Sequence, residues 1–129
     1  MKLLLDTHAL LWAATEPERL QVEAREALED GSHDILVSSV TAWEIAIKQS
    51  LGKLELAQPA EIWIPEVIRR TGLGSAPVEL AAALRVRALP WHHRDPFDRL
   101  LIAQALEGGY TIVTRDVVFK RYGVAVLDA

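Results

Sequence analysis

Four carboxylates in this chain fall where apolar segments end or turn. Asp6 closes the run Lys2–Leu5, and Asp116 follows Ile112-Val113-Thr114 after one arginine. Glu44 lies between Trp43 and Ile45, and Asp98 lies between Phe97 and Leu101 in another apolar segment. Carboxylates brought together repel one another, and protonation or a cation relieves the cost. Magnesium and manganese prefer oxygen ligands, and magnesium keeps waters and accepts a substrate phosphate. Such a site activates water and steadies the charge on a phosphodiester under attack, with a metal-bound hydroxide as nucleophile. Convergence of the four acids is the geometric condition on which that chemistry depends.

Each acid also has a plainer explanation. Asp6 and Asp116 could cap the helical segments that follow them. Glu44 and Lys48 are four apart with the acid first, a favourable pair on an exposed helix face. Asp95 suits an N-cap with Pro96 as the first helical residue, which leaves Asp98 as a first-turn acid near the helix dipole.

The elements that must position these residues read as alternating strands and helices. Strands are expected over Lys2–Leu5, Asp34–Ser38, Ser75–Val78 (weakened by Pro77), Tyr110–Thr114 and Val124–Leu127. Helices are expected over Thr7–Ala14, Leu20–Asp30, Ser39–Leu51, Pro59–Thr71, Glu79–Ala88 and Phe97–Glu107, with a short helical segment at Val117–Tyr122. Ile64-Pro65 is expected to kink the fourth helix or divide it. Pro90–Pro96 reads as an irregular connection. The alternation argues for an α/β domain with a largely parallel sheet covered on both faces. Ligands of such sheets bind beyond the carboxyl ends of the strands, where Asp6 and Asp116 stand.

Bulk properties narrow the class. The chain has 129 residues, half of them hydrophobic and a quarter charged, and no cysteine. One domain spanning residues 1–129 is the economical reading. Thiolate zinc sites, disulfides and cysteine nucleophiles are excluded. No signal-peptide core and no apolar run of membrane-spanning length is present, so the expected location is cytoplasmic with no membrane contact. The formal net charge of −4 leaves two options: no nucleic-acid partner, or a local basic patch beside an acidic centre.

The acids sit in strings that resemble the PIN-domain family. Asp6-Thr7-His8 with Leu10-Leu11-Trp12 is similar to the family's opening motif. Ser38–Lys48 looks like the second, His93–Ala105 (HRDPFDRLLIAQA) the third, and Thr114-Arg115-Asp116 the fourth. They occur in the family's order across nearly the whole chain. The resemblance is in particular to VapC-type toxin ribonucleases of prokaryotic toxin–antitoxin modules. It implies a three-layer α/β/α fold around a mainly parallel sheet of about five strands. It also implies a metal-dependent endoribonuclease using Mg2+ (or Mn2+), with RNA as substrate, a small cognate antitoxin as partner, and often a homodimer. Its acidic positions fall on Asp6, Glu44, Asp98 and Asp116, expected both as catalytic residues and as metal ligands. Asp95 is expected as a helix cap or a supporting acid, and Thr7 and Thr114 as hydroxyls that orient a carboxylate or a water. A PIN-fold nuclease acting on DNA or structured nucleic acid, or a non-catalytic module that binds RNA or protein, is the alternative.

Other residues divide between packing and binding. Arg94, Arg99 and Arg115 each stand near or beside a candidate acid, so each is either a salt-bridge partner or a phosphate-positioning group. Lys48 and Lys53 could add to a basic rim. His92 and His93 are read as loop histidines that hydrogen-bond or face solvent, with a role near RNA as the lesser option. Trp12 and Trp43 are expected in the core, while an exposed patch around Trp63 would suggest a partner groove.

Overall fold

The computed structural model describes residues 1–129. Strand β1 (Lys2–Leu5) explains the architecture in miniature. Its three leucines are all fully buried, which a strand covered on one face only would not allow. Leu3 and Leu5 join one hydrophobic core and Leu4 joins the other, as alternation along a strand requires. The neighbouring strands repeat the pattern. In β2 (Asp34–Ser38), Ile35 and Val37 face the first core and Leu36 the second. In β4 (Thr111–Thr114), Val113 and Ile112 divide the same way.

With β3 (Gly74–Ala76) and β5 (Val126–Asp128), these strands form one five-stranded sheet in the order β3-β2-β1-β4-β5. All neighbours are parallel, and Leu5 stands in register with Val37 on one side and Val113 on the other. Helices α1 (Thr7–Thr15), α2 (Val22–Glu29), α3 (Ser39–Ser50) and α4 (Ala60–Thr71) feed the first core. Helix α6 (Pro96–Gly108) and a 3-10 segment at Val117–Tyr122 feed the second, and α5 (Leu80–Arg85) packs on α6. The chain winds outward from β1 to β3, then crosses to β4 and winds the other way. Right-handed crossovers must then lie on opposite faces before and after the reversal. The reversal opens a crevice at the carboxyl ends of β1 and β4, the usual ligand position in such sheets.

Most element boundaries agree with expectation, and the departures have physical reasons. Helix α4 is continuous through Pro65. Proline in the second turn leaves the carbonyl of Glu61 without its helical partner, but Glu61 and Pro65 are both exposed, so water can satisfy it. Strand β3 is confined to Gly74–Ala76, ahead of Pro77, which cannot donate to a ladder. Its Gly74 allows close packing: a Cβ there would lie 2.7 Å from the Leu36 side chain. Helix α6 stops at Gly109, whose φ of 70° is the left-handed conformation that terminates helices.

Trp43 departs from its expected core position. The buried face of α3 is Val40, Thr41, Glu44 and Ile45, so Trp43 points away and is 54% exposed. Its ring meets Phe97 edge-on at 5.0 Å. Trp12 is half-buried against the first core, and Trp63 is buried, so no exposed patch centres on Trp63.

Candidate active site

Asp6 begins the site because β1 ends there and α1 starts. Its backbone is extended, and its side chain accepts from the Ala9 amide at 2.8 Å, an N-cap. The cap fixes the carboxylate at the sheet edge, where it is only 7% exposed. Burial raises its pKa, opposed by bonds from the Thr114 side chain and the Ala9 amide.

Glu44 reaches the same place from α3. It is buried, and the Thr7 hydroxyl donates to Oε1 at 2.6 Å. Lys48 pairs with Oε2, and that bond holds the Lys48 ammonium above its ordinary pKa. The expected helix pair is therefore present, but not on an exposed face: Glu44 is 6% exposed, and the pair forms part of the cleft wall.

The second core's elements supply the other acids. Asp95 caps α6, accepting from the amides of Phe97 at 2.8 Å and Asp98 at 3.2 Å. Asp98 stands in the first turn, its pKa pushed up to about 7 by burial and then by the nearby Asp95, with Glu44 and Asp6 adding and His93 opposing. Asp116 caps the 3-10 segment through Val118, and its own amide donates to the Thr114 hydroxyl at 3.0 Å. The Thr114 hydroxyl thereby stands between the Asp6 carboxylate, which it stabilises in its ionised form, and the Asp116 backbone.

His93 is the residue that sequence reasoning missed. Its Nε2 lies 3.0 Å from Asp98 Oδ2 and 2.9 Å from Asp116 Oδ2. Its Nδ1 accepts from the Asp95 amide at 3.2 Å. An accepting Nδ1 leaves the ring proton of neutral imidazole on Nε2, facing the two carboxylates. The loop around it is held by Tyr122, whose hydroxyl accepts from the His93 amide at 2.7 Å. The available signal was its place at the head of the string ending in Asp98, since vicinal His92 and His93 must point apart. His92 does point elsewhere, with its ring 5.1 Å from that of Tyr122.

The three arginines have three different placements. Arg99, expected as a salt-bridge partner or phosphate group, is neither. It is 2% exposed and donates to the carbonyls of Pro90, His93, Val86 and Leu89 and to the Tyr122 hydroxyl. Trp91 covers its guanidinium at 3.7 Å. The loop before α6 has no ladder of its own, and this one fork satisfies its carbonyls. Arg94 is exposed on that loop. Arg115 lies on the cleft itself.

The cleft is about 400 Å³ in volume. Five carboxylates line it (Asp6, Glu44, Asp95, Asp98 and Asp116), against two permanent cations, Lys48 and Arg115. Lys48 is committed to Glu44. Asp98 and Asp6 are held toward their protonated forms. A clustered set of hard oxygen donors short of positive charge fits a divalent cation of the magnesium type. One ligand atom each from His93, Asp98 and Asp116 lies within 4.8 Å of the others. No helix is long and apolar enough to cross a membrane.

Known proteins resemble this chain in both sequence and fold. The chain is 32% identical over 116 residues to Ribonuclease VapC22 of Mycobacterium tuberculosis, covering 88% of this chain and 85% of that protein. It is 38% identical over 66 residues to Ribonuclease VapC16 of the same organism, covering 51% and 47%. The fold matches VapBC2 of Rickettsia felis bound to a promoter DNA fragment, with a TM-score of 0.73 at 17% identity over 98% of both chains. It also matches DNA-bound VapBC of Salmonella typhimurium, with a TM-score of 0.71 at 20% identity over 99% and 98% of the two chains. Residues 3–125 match the PIN domain family, to which the chain belongs.

Proposed function

We propose that this protein is a metal-dependent endoribonuclease, carried by one domain over residues 1–129, and the toxin of a toxin–antitoxin module. The observation that carries the reading is the cleft where Asp6, Glu44, Asp98 and Asp116 meet at the reversal of the sheet. The similarity to Ribonuclease VapC22 over most of both chains supports RNA as the substrate. The likeness to VapBC structures supports a small antitoxin as partner. A homodimer and a cytoplasmic location complete the proposal.

Asp6, Asp98 and Asp116 would hold Mg2+ (or Mn2+), with Glu44 completing the wall. The ion, when bound, lowers the pKa of water and offsets charge building on the phosphodiester. Thr7 fixes one Glu44 oxygen and Lys48 the other. Thr114 orders the turn into Asp116 by accepting from its backbone amide and favours the ionised form of Asp6. His93 presents a proton to Asp98 and Asp116, so neither carboxylate swings out to solvent. Asp95 orders the first turn of α6 and adds negative potential beside Asp98.

The test is cleavage of single-stranded RNA, with single-stranded DNA alongside. RNA should be cut with magnesium or manganese, chelator should stop it, and DNA should survive. A folded Asp98→Asn variant that cuts RNA at the wild-type rate would sink the mechanism.

A further inference from the structure

An acidic protein that handles a polyanion needs cations placed where the strand runs, and Arg115 is placed in that way. It stands beside Asp116, at the end of β4, and is exposed. Its guanidinium lies 4.1 Å from the Trp12 ring centroid, and Arg19 approaches the same ring at 5.0 Å. Stacking fixes the plane of the fork. Two backbone carbonyls fix its direction: Nε donates to Ala129 at 3.3 Å, and Nη2 donates to Arg19. Three of its five N–H groups remain uncommitted to protein acceptors. An exposed arginine held this firmly has already lost much of the rotamer freedom that binding would otherwise remove.

Arg115 also borders a second cleft of about 560 Å³, lined further by Gln21, Val22, Glu23, Val117, Lys120 and Asp128. Lys120 pairs with Asp128 there at 3.1 Å, which leaves Arg115 as the cation without a carboxylate partner. It is the only residue that lines both this cleft and the acid cleft. The other permanent cation of the acid cleft is occupied by Glu44, and Arg99 is sealed inside the protein.

We propose that Arg115, backed by Trp12, clamps a backbone phosphate next to the scissile one, so that the RNA strand passes over Arg115 at the edge of the acid cleft. This rests on the ribonuclease reading above. Phosphate contacts of this kind set the register of a strand without reading its sequence. The neighbouring Arg19 is paired with Glu16 at 3.2 Å, so Arg115 is the cation left for the phosphate.

The test uses the full chain carrying Asp98→Asn, a fluorescent unstructured RNA oligomer, and anisotropy titrations over a range of salt. Added Arg115→Ala should weaken binding about tenfold and flatten the log–log salt dependence by about 0.7, the loss of one phosphate contact to a single strand. Arg115→Lys should keep the salt slope yet bind about threefold more weakly, because a point charge neither forks nor stacks as arginine does. Arg85→Ala, at the end of α5 where it pairs with Glu107 of α6, should change neither quantity. Unchanged affinity and slope for folded Arg115→Ala would overturn the clamp, as would equal losses for Arg85→Ala. Should Arg115→Ala fail to fold, parental affinity for Arg115→Lys overturns it instead. Cleavage of the RNA by the Asp98→Asn parent would count against the ribonuclease mechanism and is read separately on a gel.

Discussion

Asp6 and Glu44 form the floor of the acid cleft, 7% and 6% exposed, while the side chains of Asp98 and Asp116 stand at its mouth, 24% and 37% exposed. The floor acids are tied by groups of fixed character: two threonine hydroxyls, a cap amide and the Lys48 ammonium. The mouth acids share one imidazole. Floor acids are thus placed by the scaffold whether or not a cation is bound. Mouth acids are placed by an imidazole carried on a loop that must stay folded. The mouth is therefore where affinity for metal and sensitivity to pH should reside.

Removing the mouth's central acid should have the largest effect. Asp98→Asn should lower RNA cleavage by about a thousandfold or more. In chelator at pH 8 it should also melt at a higher temperature than wild type, because a carboxylate crowded by others has become neutral. A lower melting temperature there would show that Asp98 is not under repulsion. Next comes His93. His93→Ala should cost about 10- to 100-fold in magnesium affinity, the range typical of groups that orient ligands. His93→Gln, which restores an N–H near the position of Nε2, should recover part of it. Equal losses for both variants would mean the ring packs rather than positions.

The mouth also sets the pH behaviour. Asp98 has a folded pKa of about 7, raised above its free value of 3.8. The folded state therefore binds the extra proton between those values. That contribution to stability is complete at low pH and is lost as pH rises through about 7. Metal-free protein should melt at progressively lower temperature across this window, and magnesium should reverse the trend at the alkaline side. Magnesium affinity, by titration calorimetry, should fall about tenfold per pH unit below 7 as one proton competes. A flat profile would place the titration elsewhere.

The floor gives the smallest effects. Lys48→Met strands the buried Glu44 charge, but Lys48 is 38% exposed, so solvent screening limits the loss to about 1–2 kcal/mol in metal-free protein. Thr7→Val removes one hydrogen bond to Glu44 and should cost about 1 kcal/mol by denaturant unfolding. Larger losses than at the mouth would invert the comparison.

The same division explains what could be read from the chain alone. Strand ends are legible in apolar runs, so Asp6 and Asp116 could be placed at the sheet edge from spacing. The plain roles assigned to these acids are also real: Asp6, Asp95 and Asp116 are caps, and Glu44 does pair with Lys48. Capping is how the fold aims those carboxylates, so the plain and chemical readings describe one arrangement. Direction around a helix was less legible. Trp43 looked like core by type, yet the buried face of α3 passes through Glu44. Loop residues were least legible. Nothing periodic distinguishes His93 from His92, or shows that Arg99 turns inward to collect carbonyls while Arg115 stays outside.

Arg99 has one more consequence. The string HRDPFDRLLIAQA mixes letters of two kinds: Asp98 lines the acid cleft and is a proposed metal ligand, while Arg99 and Gln104 are structural pins, Gln104 bonding Ser38 and the carbonyls of Ala76 and Pro77. A relative that kept all four acids but lost its Arg99 counterpart would still score as an intact enzyme in a search for acidic positions. Its Val86–His93 segment would have four carbonyl bonds fewer, and the His93 backbone would be left to the Tyr122 hydroxyl alone. Inactive descendants of this fold can therefore arise by loosening one loop, with every acidic letter still in place.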